Sequence, residues 1–373
     1  MNALRVVCVL LLCLVFHCPV FAQDGEGLKV FLHPKKFYKK FFPNLKIKKP
    51  DIDSSYIKTY PDYLTVGARL ILPDIYVDLQ SKSSIAGAAD ATSNWRTNIG
   101  NIMAFSASYR FITAGFAVVL SSDRKDKDAH ASSSYRTATI KYNGEAFSFQ
   151  FKFIRTKGFT DVNQANSDSL SKYTKREDVL VKEYQFEALY NLSWKKYSYY
   201  APIDYTHRQL KTRIGFLIKA GAYYNELSAD SNLLTVKQRA FFEDFNDIRL
   251  IKTTSFKLAP GVGLNVIFLK RFYVALAVFT PYNLYFYNYY TKDDNSVRKG
   301  TSIAFVLDAN ICLGYQSERL YAGLRYQFDS KNVSFNKVGM ASLFSYFGLD
   351  VGYRFKAPKF VKKVYKATMP PGM

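Results

Sequence analysis

Catalysis needs nucleophiles, acid–base groups or metal ligands at matched spacing, and few residues of this sequence meet that demand. Beyond residue 22 the histidines are His33, His130 and His207. They stand far apart and lack the spacing of a tetrahedral metal site. His130 precedes Ser132, Ser133 and Ser134 in "HASSS". A hydrolytic serine would need a base against it and a third group orienting that base. No such constellation is spelled, so a loop of small polar residues is the simpler reading. Glu243, Asp244 and Asp247 in "FFEDFND", and Asp293 and Asp294 in "KDDN", lack the ligand order of a calcium loop. Gly261 and Gly263 sit in a strand-like run, not ahead of a helix. They cradle no phosphate and are read as relieving crowding beside a sheet. No catalytic residue, metal or cofactor is expected, and the chain leans away from being an enzyme.

The residues that look functional are charges set into apolar alternation. In "FSFQFKF" every odd position from Phe147 to Phe153 is Phe, and Ser148, Gln150 and Lys152 stand between them. The same period of two places Arg69, Glu187, Arg213, Lys219, Asp308, Arg325 and Arg354 opposite apolar rows. Such alternation marks strands with one buried face and one polar face. It recurs in "YLTVGARLIL", "MAFSASY", "YQFEALY", "RIGFLIKAGAYY", "IAFVLDANICLG" and "LYAGLRYQF". Little room is left for helices.

Short connections are expected at Tyr109–Ile112, Asn143–Gly144 (a hairpin signature), around "NLSWKKY", at Leu269–Arg271 and at Gln316–Arg319. Long polar segments fall between them, the last being "DSKNVSFNKVG". Strict exchange of short turns and long loops is the habit of membrane barrels. The reading is an all-β fold: a transmembrane antiparallel up-and-down β-barrel of about 12 strands. Its Phe147, Phe149, Phe151 and Phe153 would face lipid. The eight charges named above would face the lumen, because each one near the bilayer midplane would cost roughly 2–4 kcal/mol. Aromatics in "YNLYFYNYY", Tyr282 to Tyr290, suit an interfacial girdle. The lumen charges admit two readings: a pore or cavity favouring anionic solutes, or an internal ion-pair network that fills the barrel.

The chain has 373 residues, a net charge of +22, 31 Phe and 29 Tyr. Arg5 and the apolar run "VVCVLLLCLVFHCPVF" read as a signal peptide over residues 1–22, with Val20 and Ala22 before the cut. Cys8, Cys13 and Cys18 would leave with it, so Cys312 would remain without a partner. Residues 23–61 form a basic lead-in broken by Pro34, Pro43 and Pro50, residues 62–355 the barrel, and residues 356–373 a basic C-terminal tail. The lysines of the lead-in suit either anionic head groups or a solvated tether. The expected location is the outer membrane, and the expected partners are its lipids.

The segments "YIKTYPDYLTVGARL", "WRTNIGNIMAFSASYRF", "FQFKFIRTKGFT", "LAPGVGLNVIFLKRFYVALAV" and "LFSYFGLDVGYRF" together resemble the outer-membrane barrels of Bacteroides-type bacteria grouped as domain of unknown function family 4421. Arg96-Thr97-Asn98 departs from the family's Arg-Pro-Asn spelling. The resemblance implies a barrel in the outer membrane and no particular activity. The closing strand, with Tyr353 and Phe355 on its apolar face, is similar to the C-terminal signal that the barrel-assembly machinery reads. Two other readings remain: a barrel enzyme acting on lipid or glycan, and a soluble basic β-domain that binds an anionic polymer. Nucleic acid is not an expected partner, and the oligomeric state is open. If Phe149 and Phe151 meet lipid, Phe149→Arg or Phe151→Arg should strongly reduce recovery in the membrane fraction, while Gln150→Arg is tolerated; equal recovery of all three would refute the face assignment.

Overall fold

The computed structural model describes residues 52–81, 92–121, 128–163, 173–242, 245–291, 297–335 and 338–368. The expected signal peptide, most of the lead-in, His33, Glu243, Asp244, Asp293 and Asp294 lie outside the described residues. In chain order the strands are β1 (Ile57–Thr59), β2 (Tyr63–Ser81), β3 (Thr92–Arg96), β4 (Asn101–Tyr109), β5 (Ile112–Ser121), β6 (Ser134–Asn143), β7 (Phe147–Asp161), β8 (Thr174–Asn191), β9 (His207–Gln209) and β10 (Arg213–Ser228). A single helical turn, α1 (Val236–Arg239), follows, and then β11 (Ile248–Phe268), β12 (Phe272–Phe279), β13 (Tyr282–Thr291), β14 (Val297–Phe305), β15 (Asp308–Gln316), β16 (Leu320–Phe335) and β17 (Val338–Lys356).

The strands close into an antiparallel ring. Neighbours run β2-β4-β5-β6-β7-β8-β10-β11-β12-β15-β16-β17, and β17 returns to β2. β13 continues β12 past Thr280–Pro281, and β14 leads into β15 past Val306–Leu307, so each pair is one interrupted barrel strand. The ring therefore has twelve strands. β3 adds to the outer parts of β2 and β7, while β1 and β9 form a separate two-stranded ladder.

Prolines mark where the wall changes partner. Along one side of β11, β13 is paired up to Leu258 and β12 from Gly261. Pro260 sits at that joint and its carbonyl accepts the Thr280 N–H at 3.0 Å. Pro73 of β2 stands between the last β4 pair, at Ile71, and the first β3 pair, at Tyr76. A residue without an N–H belongs where a ladder lapses. Beyond Asp329 no ladder joins β16 to β14. Serines bridge that seam: Ser330 Oγ donates to Leu307 O at 3.0 Å and the Ser334 N–H to Ser302 Oγ at 3.1 Å.

Alternation fixes which side chains point out. Ile214, Phe216 and Ile218 of β10, Ile303 and Phe305 of β14, and Leu349 and Val351 of β17 are exposed. Their neighbours Leu217 and Asp350 are buried. The Tyr-rich β13 obeys the same rule, which corrects the girdle expectation: Tyr282, Leu284 and Phe286 are exposed, whereas Tyr285, Tyr287 and Tyr289 are buried inside. The segment "DSKNVSFNKVG" is also not a long loop. β16 and β17 pair through it from Ser330↔Leu343 to Phe335↔Val338, because strands that stay paired to each other satisfy their backbone groups beyond the wall's apolar zone.

Residues 52–356 form one compact unit. The described residues after it carry α2 (Lys359–Thr368), "KFVKKVYKAT", uninterrupted by Gly or Pro and preceded by Pro358. Pro is tolerated at a helix start, where its missing N–H is not needed.

Glycines on the inner wall leave space for tyrosine rings. A Cβ at Gly215 would lie 2.1 Å from Tyr197 Cδ1, and one at Gly263 would lie 1.9 Å from Tyr197 Oη. Gly263→Ala should displace Tyr197 and destabilise the barrel by about 1–3 kcal/mol, read as an earlier loss of heat-modifiable migration on gels. Gly339→Ala, where the nearest heavy atom is 3.9 Å away, should leave it unchanged. Equal behaviour of the two variants would refute the close-approach argument.

Candidate functional site

The connection between β8 and β10 folds into the barrel at the end where the short turns lie. A tight turn is expected around "NLSWKKY"; instead residues 192–212 form a plug. Only the first part turns tightly: the Ser193 N–H bonds Asn191 Oδ1 at 3.0 Å and the Tyr197 N–H bonds Ser193 O at 2.9 Å. Tyr197, Tyr199, Ala201, Ile203, Tyr205 and His207 are then buried. The backbone of a buried loop must find partners, and polar residues of the wall and of β9 supply them. Asn265 Nδ2 donates to Ser198 O at 2.9 Å, Gln316 Nε2 to His207 O at 2.8 Å, and Gln209 Nε2 to Lys196 O at 2.7 Å. Tyr205 takes a left-handed backbone, φ 56°, and stacks on Tyr321 with ring centroids 3.9 Å apart. Burial, with the Arg354 cation acting in the same direction, pushes His207 down to about 4. It is neutral at pH 7, its Nδ1 3.2 Å from Ser198 Oγ.

The arginines of the wall clamp this plug. Arg325 donates to Ile203 O and, at 3.1 Å, to Asp350 Oδ2. Arg69 donates to Asp350 Oδ1 and reaches Ile203 O at 3.4 Å. Tyr205 Oη completes the set on Asp350 at 3.3 Å. Arg354 donates to Tyr205 O at 2.7 Å and to Ser317 O at 2.8 Å, with its guanidinium 4.0 Å from the Tyr60 ring centroid. Lys141 binds Asp204 of the plug at 3.0 and 3.1 Å.

A second ionic group lies further along the lumen. Lys257 is 3.1 Å from Asp308 and 3.9 Å from Asp329. Lys331 pairs with Glu183, which also accepts from Gln185. Tyr223 Oη donates to Glu187. Between these groups and the plug is a cavity of about 210 Å³.

The opposite end is filled by the β10–β11 connection. Leu233, Leu234, Phe242 and Phe245 pack with Val77, Leu79, Trp95, Phe159, Tyr289 and Phe335 in one buried cluster. Arg176 holds the connection by donating to Asn232 O and Leu233 O, both at 2.8 Å. Gln238 of α1 donates to the buried Asp161 at 3.0 Å.

The named charges divide accordingly. Arg69, Lys152, Glu187, Lys219, Asp308 and Arg325 border the cavity. Arg354 is buried at the turn end, outside the cavity wall. Arg213 does not reach the lumen: it is exposed at the start of β10, 5.5 Å from the Tyr56 ring centroid, because the strand begins there and alternation has no wall to act on. Phe147 stacks on Tyr190 at 4.4 Å, Phe149 on Phe186 at 6.3 Å, and Phe153 lies 5.1 Å from Tyr184. Phe151 is exposed. Tyr353 and Phe355 lie 4.8 Å apart near the end of β17, with Phe355 exposed. Lys141, Glu183, Lys257, Asp329, Lys331 and Asp350 join the named charges, each on the inward parity of its strand. Ser133 is committed to structure: its Oγ donates to Gly158 O at 2.7 Å and accepts the Asn98 N–H at 2.8 Å. His130 is buried 5.0 Å from the Tyr173 ring.

Asp350 is the shared partner of two guanidiniums, and Arg325 and Asp350 have side chains 2% and 4% accessible. Asp350→Asn would leave both cations without their carboxylate. A loss of about 3–5 kcal/mol is expected, the usual cost of breaking a buried pair, and chemical unfolding in detergent would measure it. Replacing all three partners, Arg69→Met and Arg325→Met with Asp350→Leu, should recover much of the loss, because no charge is then left unpaired. A single variant as stable as the parent would refute the clamp.

A sequence profile described as "Domain of unknown function (DUF4421)" matches residues 51–355. No curated protein matches the chain. Among solved structures the chain is similar to the outer membrane protease OmpT from Escherichia coli, at 10% identity over 80% of this chain and 98% of that one, TM-score 0.38. It is also similar to the translocator domain of autotransporter NalP from Neisseria meningitidis, at 13% identity over 78% and 88%, TM-score 0.36. The COG4313 outer membrane channel from Pseudomonas putida F1 matches at 10% identity over 83% and 100%, TM-score 0.33.

Proposed function

We propose that this chain, which belongs to the DUF4421 family of unknown function, is an integral outer-membrane β-barrel that rests closed, a binding or structural element of the membrane wall. The observation that carries the reading is the outer surface. Large apolar side chains are exposed on strand after strand, among them Phe116, Ile140, Phe216, Ile303, Phe305, Leu324 and Phe347. Soluble proteins rarely show continuous apolar patches beyond a few hundred Å². Only helices and closed barrels satisfy all backbone groups in lipid, and a closed barrel is what these strands build. The export signal expected in residues 1–22 and the assembly signal expected at Tyr353 and Phe355 support placing it in the outer membrane.

The closed state follows from the two fillings. Passage past the turn end requires removal of a plug held by Arg69, Arg325 and Arg354. Purified protein in planar bilayers should give no steady conductance. Arg325→Ala with Arg354→Ala, which loosens the plug while leaving the wall's ladders intact, should give openings. A steady ohmic pore from the unaltered chain would overturn this reading.

A second reading, gated passage of a small anion, draws on Lys152 and Lys219. Both border the cavity and lie against aromatic rings, 5.5 Å from Phe344 and 4.2 Å from Phe279. Among the described residues neither has a carboxylate within 4 Å. Any openings of the loosened variant would then favour anions.

A further inference from the structure

Outside the lumen, at the turn end, three cations converge on one ring. Lys211 Nζ lies 4.8 Å from the Tyr56 ring centroid, Lys196 Nζ 5.1 Å and Arg213 Cζ 5.5 Å. Three charges on one ring are at most about 11 Å from one another, comparable to the Debye length of about 8 Å at physiological salt. Their mutual repulsion is only partly offset by the ring's negative face. One carboxylate stands by: Asp53 Oδ2 is 3.9 Å from Lys196 Nζ. Hydrogen bonds from Ser55 hold Asp53 below the usual carboxylate range despite its slight burial penalty, with Lys196 and Lys211 acting the same way. Among the described residues Lys211 and Arg213 have no carboxylate within 4 Å, and both are exposed. Lys195 adds a further exposed charge beside them, 5.6 Å from the Trp194 ring centroid. The group therefore carries an excess of positive charge that nothing in the described chain neutralises.

What lies next to this excess is apolar. Arg213 opens β10, and the next outward residues are Ile214, Phe216 and Ile218, all exposed. Leu192, exposed as well, is held against this strip by its N–H bond to Phe216 O at 2.9 Å, and Ser193 Oγ accepts the Phe216 N–H at 3.2 Å. A cationic cluster at the foot of an apolar strip matches a molecule with a phosphate at one end and hydrocarbon at the other. Arg supplies paired donors to phosphate oxygens and Lys a compact charge.

We propose that Lys196, Lys211 and Arg213 around Tyr56 form a binding site for the head group of an anionic glycerophospholipid, with an acyl chain lying along Ile214, Phe216 and Leu192. The inference rests on the reading of the barrel as a membrane protein. It goes beyond that reading by naming a lipid class and the residues that select it.

The test is lipid retention by the full chain, purified in detergent, incubated with phosphatidylglycerol or phosphatidylcholine and weighed by native mass spectrometry. Retention of phosphatidylglycerol at least fivefold above phosphatidylcholine is expected. It should fall at least fivefold in Lys211→Gln/Arg213→Gln, whose positions are exposed and whose heat-modifiable migration should be unchanged. Inorganic phosphate at equal concentration should not displace the lipid. Equal retention of the two lipids, or full retention by the double variant, overturns the site. Displacement by inorganic phosphate overturns the lipid assignment and leaves a site for free phosphate. Failure of the membrane reading itself would look different: the unaltered chain would fractionate as a soluble protein, whatever it retains.

Discussion

The fold depends on one constraint: a barrel that shows hydrocarbon to its surroundings must turn its charges inward, where most meet an opposite charge and Lys152 and Lys219 meet aromatic rings. Asp350 is where that constraint is met most fully. It receives Arg69, Arg325 and the Tyr205 hydroxyl, and the same two guanidiniums reach the Ile203 carbonyl of the plug. Charge neutralisation and plug retention are thus one interaction. An isolated ion in such a place would cost several kcal/mol. A plug backbone without wall donors would carry orphaned carbonyls at a similar penalty per group.

The interior is organised in three levels as a result. At the turn end, aromatic rings and arginines hold an irregular segment against glycines that let the rings approach. At the loop end, a buried cluster of Leu, Phe, Trp and Tyr side chains fills the mouth. Between them the wall carries ion pairs around a cavity of about 210 Å³, below the usual 300–1,000 Å³ of a small-molecule pocket. Such a space suits a small polar solute or water.

The wall was legible in the sequence because a strand's period is two and is enforced along its whole length. "FSFQFKF" shows this: Gln150 and Lys152 border the cavity and Phe151 is exposed. Turns at Tyr109–Ile112, Asn143–Gly144 and Leu269–Arg271 were legible from their local chemistry. The plug was not: Tyr197, Tyr199, Ala201, Ile203 and Tyr205 repeat the alternation of a wall strand, and what folds the segment inside is its partners on strands far away in sequence, such as Asn265, Gln316 and Arg354. Arg213 was misplaced for a related reason: alternation predicts a face only where a wall continues on both sides. The inward Tyr285, Tyr287 and Tyr289 were masked by composition, because a run rich in Tyr hides which half of it alternates inward.

The most direct test of the account is amide hydrogen exchange of the full chain in lipid nanodiscs. A closed barrel with a clamped plug predicts that amides of Tyr197–Gln209 exchange as slowly as those of neighbouring β10 and β11. Exchange of that segment within seconds, with the strands still protected, would contradict it: the plug would then be a loose loop and the lumen open at the turn end.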